Sequence, residues 1–245
     1  MALPGIAIGE GIDIGPGIFI GAGGPSPAPT LVLNLDAASY AGSGPWIDSV
    51  SAKSFTLYNS PTYSGVVGGG SFDFDPSSSQ YAECSTSLSS LSTWTAIAWH
   101  FYTGANSGTA PCILTEVYPN FTNNINYSLG NNFGGANIDL ASGFFNGGWY
   151  STPNGYNLTG GAWYQIVGTW DGATNKLYVN NTLVQSTAAS TLAPQAGGNG
   201  IRLMRRWDDP DYWAGRLAIV QVYDGAMGAG QISSNWNTNK ARFGL

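Results

Sequence analysis

His100 is the only histidine of this 245-residue chain, and Glu10, Glu83 and Glu116 are its only glutamates. Acid–base or nucleophilic chemistry would have to be built from these, from Cys84 and Cys112, and from the aspartates. His100 sits between Trp99 and Phe101 in the alternating run TWTAIAWHFY (93–102), a setting that reads as a packed side chain rather than a base. No G-x-S-x-G turn offers a serine for it to activate. One histidine and two cysteines 28 residues apart do not make a zinc set. The glycine-rich GVVGGGS (65–71) lacks the lysine of a phosphate loop. The chain reads as a non-enzyme.

Recognition chemistry is better supplied. The stretch RRWDDPDYW (205–213) gathers Trp207, Tyr212 and Trp213 with Asp208, Asp209 and Asp211 around Pro210. Planar rings stack on sugar faces, so these three aromatics are candidate glycan contacts. So are Trp149 and Tyr150 of the turn GGWYSTPNGY (147–156). Asp208, Asp209 and Asp211 are the oxygen ligands a calcium ion would use. The preferred reading is local pairing with Arg205 and Arg206, so no cofactor is expected, calcium being the one cation the loop could take. Trp94, Trp99, Trp163 and Trp170 fall in strand patterns and belong to a core.

The elements that must position these residues are strands. Charged residues are 9% of the chain and glycine is 35 of its residues, against a norm of about 25% charged. Ser, Thr and Asn take the polar role of Lys and Glu, which disfavours helix and favours strand. The net charge of −6 argues against a nucleic-acid partner. No apolar run approaches the roughly 20 residues of a membrane span, and the start lacks the basic region of a signal peptide. The two cysteines are expected reduced and buried.

Short alternating runs mark strands at 30–35, 72–74, 81–84, 93–102, 112–117, 125–129, 143–150, 163–170, 176–179, 201–204 and 216–223, with one short helix at 230–237. Such spacing, with Gly- and Asn-rich turns, predicts an all-β antiparallel jelly-roll sandwich over residues 31–245. Before it lie two different segments. Residues 25–30 form a Pro-rich hinge. Residues 1–24 contain GIAIGE-GIDIGP-GIFIGA, with Ile6, Ile8, Ile12, Ile14, Ile18 and Ile20 all at even positions. In an extended chain these side chains share one face, and the other is bare backbone apart from Ala7, Asp13 and Phe19. Burying six Ile cannot offset the ordering of eighteen residues without a partner surface. The segment, with Phe19, reads as an attachment or oligomerisation arm paired to another chain along 6–20, a homotrimer being favoured.

Three segments resemble the laminin-G-like, concanavalin A-like jelly-roll family. They are LVLNLDAASYAGSGPW (31–46) followed by Asp48, GGSFDFD (69–75), and WYQIVGTWDG (163–172) running into KLYVN (176–180). The closing WAGRLAIVQVYDGAMGAGQI (213–232) is similar to the family's last strand and short helix. The opening motif is especially similar to versions on structural proteins of tailed phages, including those of cyanobacteria. The resemblance implies the sandwich, and a virion location: capsid decoration, knob or fibre, made in the host cytoplasm and partnered by other virion proteins. An adhesin binding a host surface glycan is the alternative. Hydrolases of the family use E-x-D-x-x-E on one strand, a spacing none of the three glutamates here satisfies. The family's calcium-ligating acid after the last-strand glycine is replaced by Ala218.

Overall fold

A computed structural model of the protein describes residues 12–13, 19–20, 28–89, 91–104, 106–108, 110–116, 125–131, 140–153, 156–188, 193–194, 200–208 and 210–245. The strands in chain order begin with β1 (Ile12–Asp13), β2 (Phe19–Ile20), β3 (Leu31–Asp36), β4 (Trp46–Ile47), β5 (Ser54–Tyr58) and β6 (Thr62–Ser64). They continue with β7 (Ser71–Phe74), β8 (Tyr81–Cys84), β9 (Trp94–Tyr102), β10 (Cys112–Glu116), β11 (Ile125–Asn131) and β12 (Leu140–Phe145). The last are β13 (Trp149–Ser151), β14 (Ala162–Trp170), β15 (Thr174–Val179), β16 (Thr182–Ala188), β17 (Ile201–Leu203) and β18 (Gly215–Tyr223), followed by the helix α1 (Ala229–Asn239).

Two eight-stranded sheets make the sandwich. One runs β13-β12-β11-β10-β17-β8-β5-β4; the other runs β16-β15-β14-β9-β18-β7-β6, with β3 also paired to β18. The pairings between their strands are antiparallel. The inner faces meet in one apolar cluster that includes Trp46, Phe72, Trp94, Tyr127, Phe144, Trp170 and Trp213. Gly168, in the middle of β14, lets the sheets approach: a Cβ there would fall 2.6 Å from Ser142 and 2.7 Å from Leu129.

The second sheet has a further layer on its outside. There Ile97, Trp99, Val167, Ala218 and Ile219 pack against Ile232 of α1 and Phe243 of the closing turn. Trp99 stacks with Trp236 (5.4 Å) and with Phe243 (4.5 Å). This explains why β9 is apolar on both faces: Trp94, Ala96 and Ala98 face the other sheet, while Ile97 and Trp99 face the helix. Among the described residues no helix is long and apolar enough to cross a membrane.

The all-β sandwich matches the expectation, with local corrections. The run 143–150 is not one strand but the hairpin β12–β13, turning where Asn146 N donates to Gly148 O and Gly147 takes a φ of +66°. The strands β4, β5, β6 and β16 lie outside the runs expected as strands from the sequence. The expected strip along 6–20 falls mostly outside the described residues. Ile12 lies opposite Ile20 and Asp13 opposite Phe19 in an antiparallel pair that belongs to neither sheet of the sandwich. The intervening sequence holds Gly15-Pro16-Gly17, a chain-reversal signal. Ile6, Ile8, Ile14 and Ile18, and the hinge as far as Pro27, lie outside the described residues.

Candidate functional site

Among the described residues no helix lies over the outer face of the first sheet, and its strands alternate accordingly. In β5, Phe55 and Leu57 pack inward, leaving Thr56 and Tyr58 outward; in β8, Ala82 and Cys84 are inward and Tyr81 and Glu83 outward. Register places Tyr58 opposite Tyr81, Thr56 opposite Glu83 and Glu83 opposite Arg202 of β17. The Tyr58 and Tyr81 rings stack at 4.5 Å with 2° between their planes. The Arg205 guanidinium lies 4.6 Å from the Tyr81 ring and 5.6 Å from that of Tyr212. A row therefore crosses the face: Tyr58, Tyr81, Arg205, Tyr212. Tyr58 stays 39% exposed, one of the few large apolar side chains of the described residues to do so. Burial pushes the Tyr81 hydroxyl above its ordinary value, with Arg205 opposing.

Beside the row, Arg202 Nε bonds Glu83 Oε2 at 2.6 Å. Its Nη1 donates to the carbonyls of Arg206 (3.2 Å) and Trp207 (2.7 Å), fastening the 205–213 loop to the sheet. The loop is closed by a bridge between Arg205 and Tyr212, by Arg206 N to Asp211 O (2.9 Å) and by Trp213 N to Met204 O (3.0 Å). Closure carries its aromatic side chains inward. Trp213 is fully buried, and its Nε1 donates to His100 Nε2 at 2.9 Å. Trp207 is buried in a cluster with Ala110, Cys112 and Ile125, against Trp149 at 4.8 Å. Tyr212 is buried as well.

The expectation that Trp207, Tyr212 and Trp213 stand out as sugar platforms is thus corrected: a hairpin folded onto the sheet hides the rings that an open loop would expose. Trp149 and Tyr150 are half-buried, Trp149 against Phe145 and Tyr150 against Phe144 at 5.3 Å each. Asp208 and Asp211 pair with Arg206, at 2.9 and 3.4 Å, and Asp211 also accepts from Ala110 N. Asp209 lies outside the described residues. Among the described residues no three His, Cys, Asp or Glu come together as a metal set.

The titratable groups of the interior are held for packing. His100 Nδ1 faces the Arg216 carbonyl at 2.9 Å, and Nε2 accepts from Trp213, whose indole nitrogen can only donate. The ring is therefore the neutral Nδ1–H tautomer, and burial pulls its pKa down to about 3. Glu116 is fully buried with Oε2 accepting from Asn126 N (2.9 Å), and burial pushes it up to about 7. Cys84 and Cys112 are free, buried thiols, Cys112 being pushed up to about 12 by burial.

Residues 76–233 match the laminin-G-type model described as the concanavalin A-like lectin/glucanases superfamily. The chain belongs to that superfamily. Among solved structures, this concanavalin A-like chain is similar to domain 4 of AbnA, an extracellular arabinanase of Geobacillus stearothermophilus, solved with arabinotriose. That likeness has a TM-score of 0.67 at 17% identity, covering 84% of this chain and 98% of the other. The binding domain of botulinum neurotoxin DC in complex with SialylT is similar at TM-score 0.63 and 11% identity, over 85% of this chain and 51% of that one. The binding domain of Paraclostridial Mosquitocidal Protein 1 is similar at 0.65 and 13%, over 85% and 52%. The chain thus spans about half the length of these toxin binding domains, and at such identities the likeness is one of fold. No curated protein sequence matches the chain.

The residue missed by sequence reasoning is Tyr58, with its partners Tyr81 and Arg205. A signal existed: SFTLY (54–58) alternates, and its polar face ends in an aromatic ring.

Proposed function

We propose that this concanavalin A-like chain is a non-enzymatic glycan-binding module. The observation that supports it best is the exposed Tyr58 ring, braced from behind by Tyr81 and Arg205. An aromatic face held rigid by its neighbours meets the C–H face of a sugar with little entropy lost, and aromatic stacking of this kind contributes about 0.5–1.5 kcal/mol beyond burial. Glu83 and Arg202 offer an acceptor and donors alongside for sugar hydroxyls. The arabinotriose and SialylT held by two proteins of this fold support the ligand class. No bond-breaking chemistry is assigned, because Glu83, Asp208 and Asp211 are paired with arginines and His100 is buried and neutral. The test is a glycan array probed with the full chain, with and without chelator. Specific binding that survives chelation and is lost in Tyr58→Ala is expected; binding unaffected by that change would overturn the reading.

A second role is favoured by the arm, whose β1–β2 pair stands apart from both sheets. We propose that residues 1–24 attach the module to a larger assembly, as a homotrimer or to another protein of a virion, with the sandwich displayed outward as a fibre, knob or decoration element. Removing residues 1–24 should leave a folded protein of lower oligomeric state by sedimentation. An unchanged state in solution and unchanged incorporation into particles would contradict it.

A further inference from the structure

Helix α1 is unusual in having no charged residue among AGQISSNWNTN. Gln231, Ser234, Asn235 and Thr238 are spaced i, i+3, i+4, i+7 and so share one stripe. That stripe faces Gln221 and Tyr223 of β18 and Met227 of the preceding turn across an open groove of about 430 Å³. The volume falls within the roughly 300–1,000 Å³ of small-ligand sites.

Two of the groove's amides, Asn235 and Gln221, belong to a chain that runs on to Gln165 and Asn34 behind them. Gln165 Nε2 donates to Asn235 Oδ1 (2.9 Å), and Asn235 Nδ2 to Gln221 Oε1 (2.8 Å). Gln221 Nε2 then donates to Asn34 Oδ1 (3.0 Å), and Asn34 Nδ2 to Ser49 Oγ (2.9 Å). Asn235, Gln221 and Asn34 each receive on oxygen and give on nitrogen, so each orientation sets the next. At the mouth, Gln231 Oε1 accepts from Gly228 N, leaving its Nε2 as a donor, while Asn239 Nδ2 donates to Asn235 O, leaving its Oδ1 as an acceptor. The exposed Ser234 hydroxyl makes no side-chain hydrogen bond among the described residues.

Fixed donors and acceptors of both kinds, without formal charge, beside one aromatic and one thioether side chain, match a ligand that is uncharged, rich in hydroxyls and apolar on one face. We infer that the groove between α1 and β18 is a second binding site, for a neutral saccharide, independent of the Tyr58 face. An anionic ligand is disfavoured because no cationic side chain among the described residues lines it.

The test is an amide NMR titration of the full chain with maltotriose, mannotriose and arabinotriose, using sialyllactose and an extended peptide as controls. At least one neutral trisaccharide should shift the side-chain amides of Gln231 and Asn239 and saturate. Ser234→Lys, at an exposed position, should weaken that binding at least about tenfold, and Tyr58→Ala should leave it unchanged. The inference is overturned if no neutral saccharide moves these resonances, if only the peptide or sialyllactose does, if Ser234→Lys binds as tightly, or if Tyr58→Ala abolishes the shifts. Loss of array binding in Tyr58→Ala with these shifts retained would separate the two sites.

Discussion

The two outer faces of the sandwich are built on opposite plans. Over β9, β14 and β18 the outward residues include Ile97, Trp99, Val167 and Ile219, with Gln165 and Gln221 among them, and α1 and the closing turn pack over them. Over β5, β8 and β17 they are Thr56, Tyr58, Tyr81, Glu83 and Arg202, and among the described residues the cover is a loop fastened by Arg202. The same antiparallel pleat serves both. What differs is whether the second face of each strand was given apolar surface to bury or polar and aromatic groups to present. The covered face supports the fold and borders the groove beside α1, while the uncovered one leaves the Tyr58 ring exposed.

The comparison can be broken first on the covered side. Trp99→Ala removes a fully buried ring that stacks with Trp236 and with Phe243 and should cost about 3–5 kcal/mol. Chemical denaturation reads this, and a loss under 1 kcal/mol would mean that the helix layer is a minor support. Between the sheets, Glu116 gives the next largest effect. Its folded pKa is raised from 4.5 to about 7, so the folded state holds the proton more tightly than the unfolded chain. Its contribution is complete below about pH 4.5 and is lost as pH rises to about 7. Glu116→Gln should therefore be more stable than the parent above pH 7, by roughly 3 kcal/mol at most, with the gap closing towards pH 4.5. His100 acts in the opposite sense, its depressed pKa withdrawing stability as pH falls below 6.5, but it is common to both proteins and cancels in their difference. A pH-independent gap would show that Glu116 is not the titrating group.

On the uncovered face the expected effects are smaller. Arg205→Ala loses its contacts with the Tyr81 and Tyr212 rings and should cost about 1 kcal/mol, read as a few degrees in Tm, together with weaker glycan binding because Tyr81 loses its brace. Tyr58→Ala should move stability by no more than about 0.5 kcal/mol, as for surface changes generally.

This asymmetry decided how much could be read in advance. Segments apolar on both faces, such as TWTAIAWHFY and WYQIVGTW, announce strands wherever they fall, and the motif around Trp170-Asp171-Gly172 placed the hairpin of β14 and β15. The short β5 and β6, set among Gly, Pro, Ser and Asn, resemble loop until their partners are known. The candidate site was legible in composition but not in position. RRWDDPDYW has the residues of a binding loop, yet its rings are turned inward by the Arg205–Tyr212 closure and by the hydrogen bond from Trp213 to His100, 113 residues away. No local pattern encodes that contact. The exposed ring comes instead from Tyr58, which is set by a register with Tyr81 across two intervening strands of the other sheet.

The most direct measurement is calorimetric titration of the strongest glycan from the array into the parent protein and into Tyr58→Ala, with denaturation of both run alongside. The prediction is at least about tenfold weaker binding in the variant at unchanged stability. Equal affinity in two equally stable proteins would contradict the assignment of the uncovered face to glycan recognition.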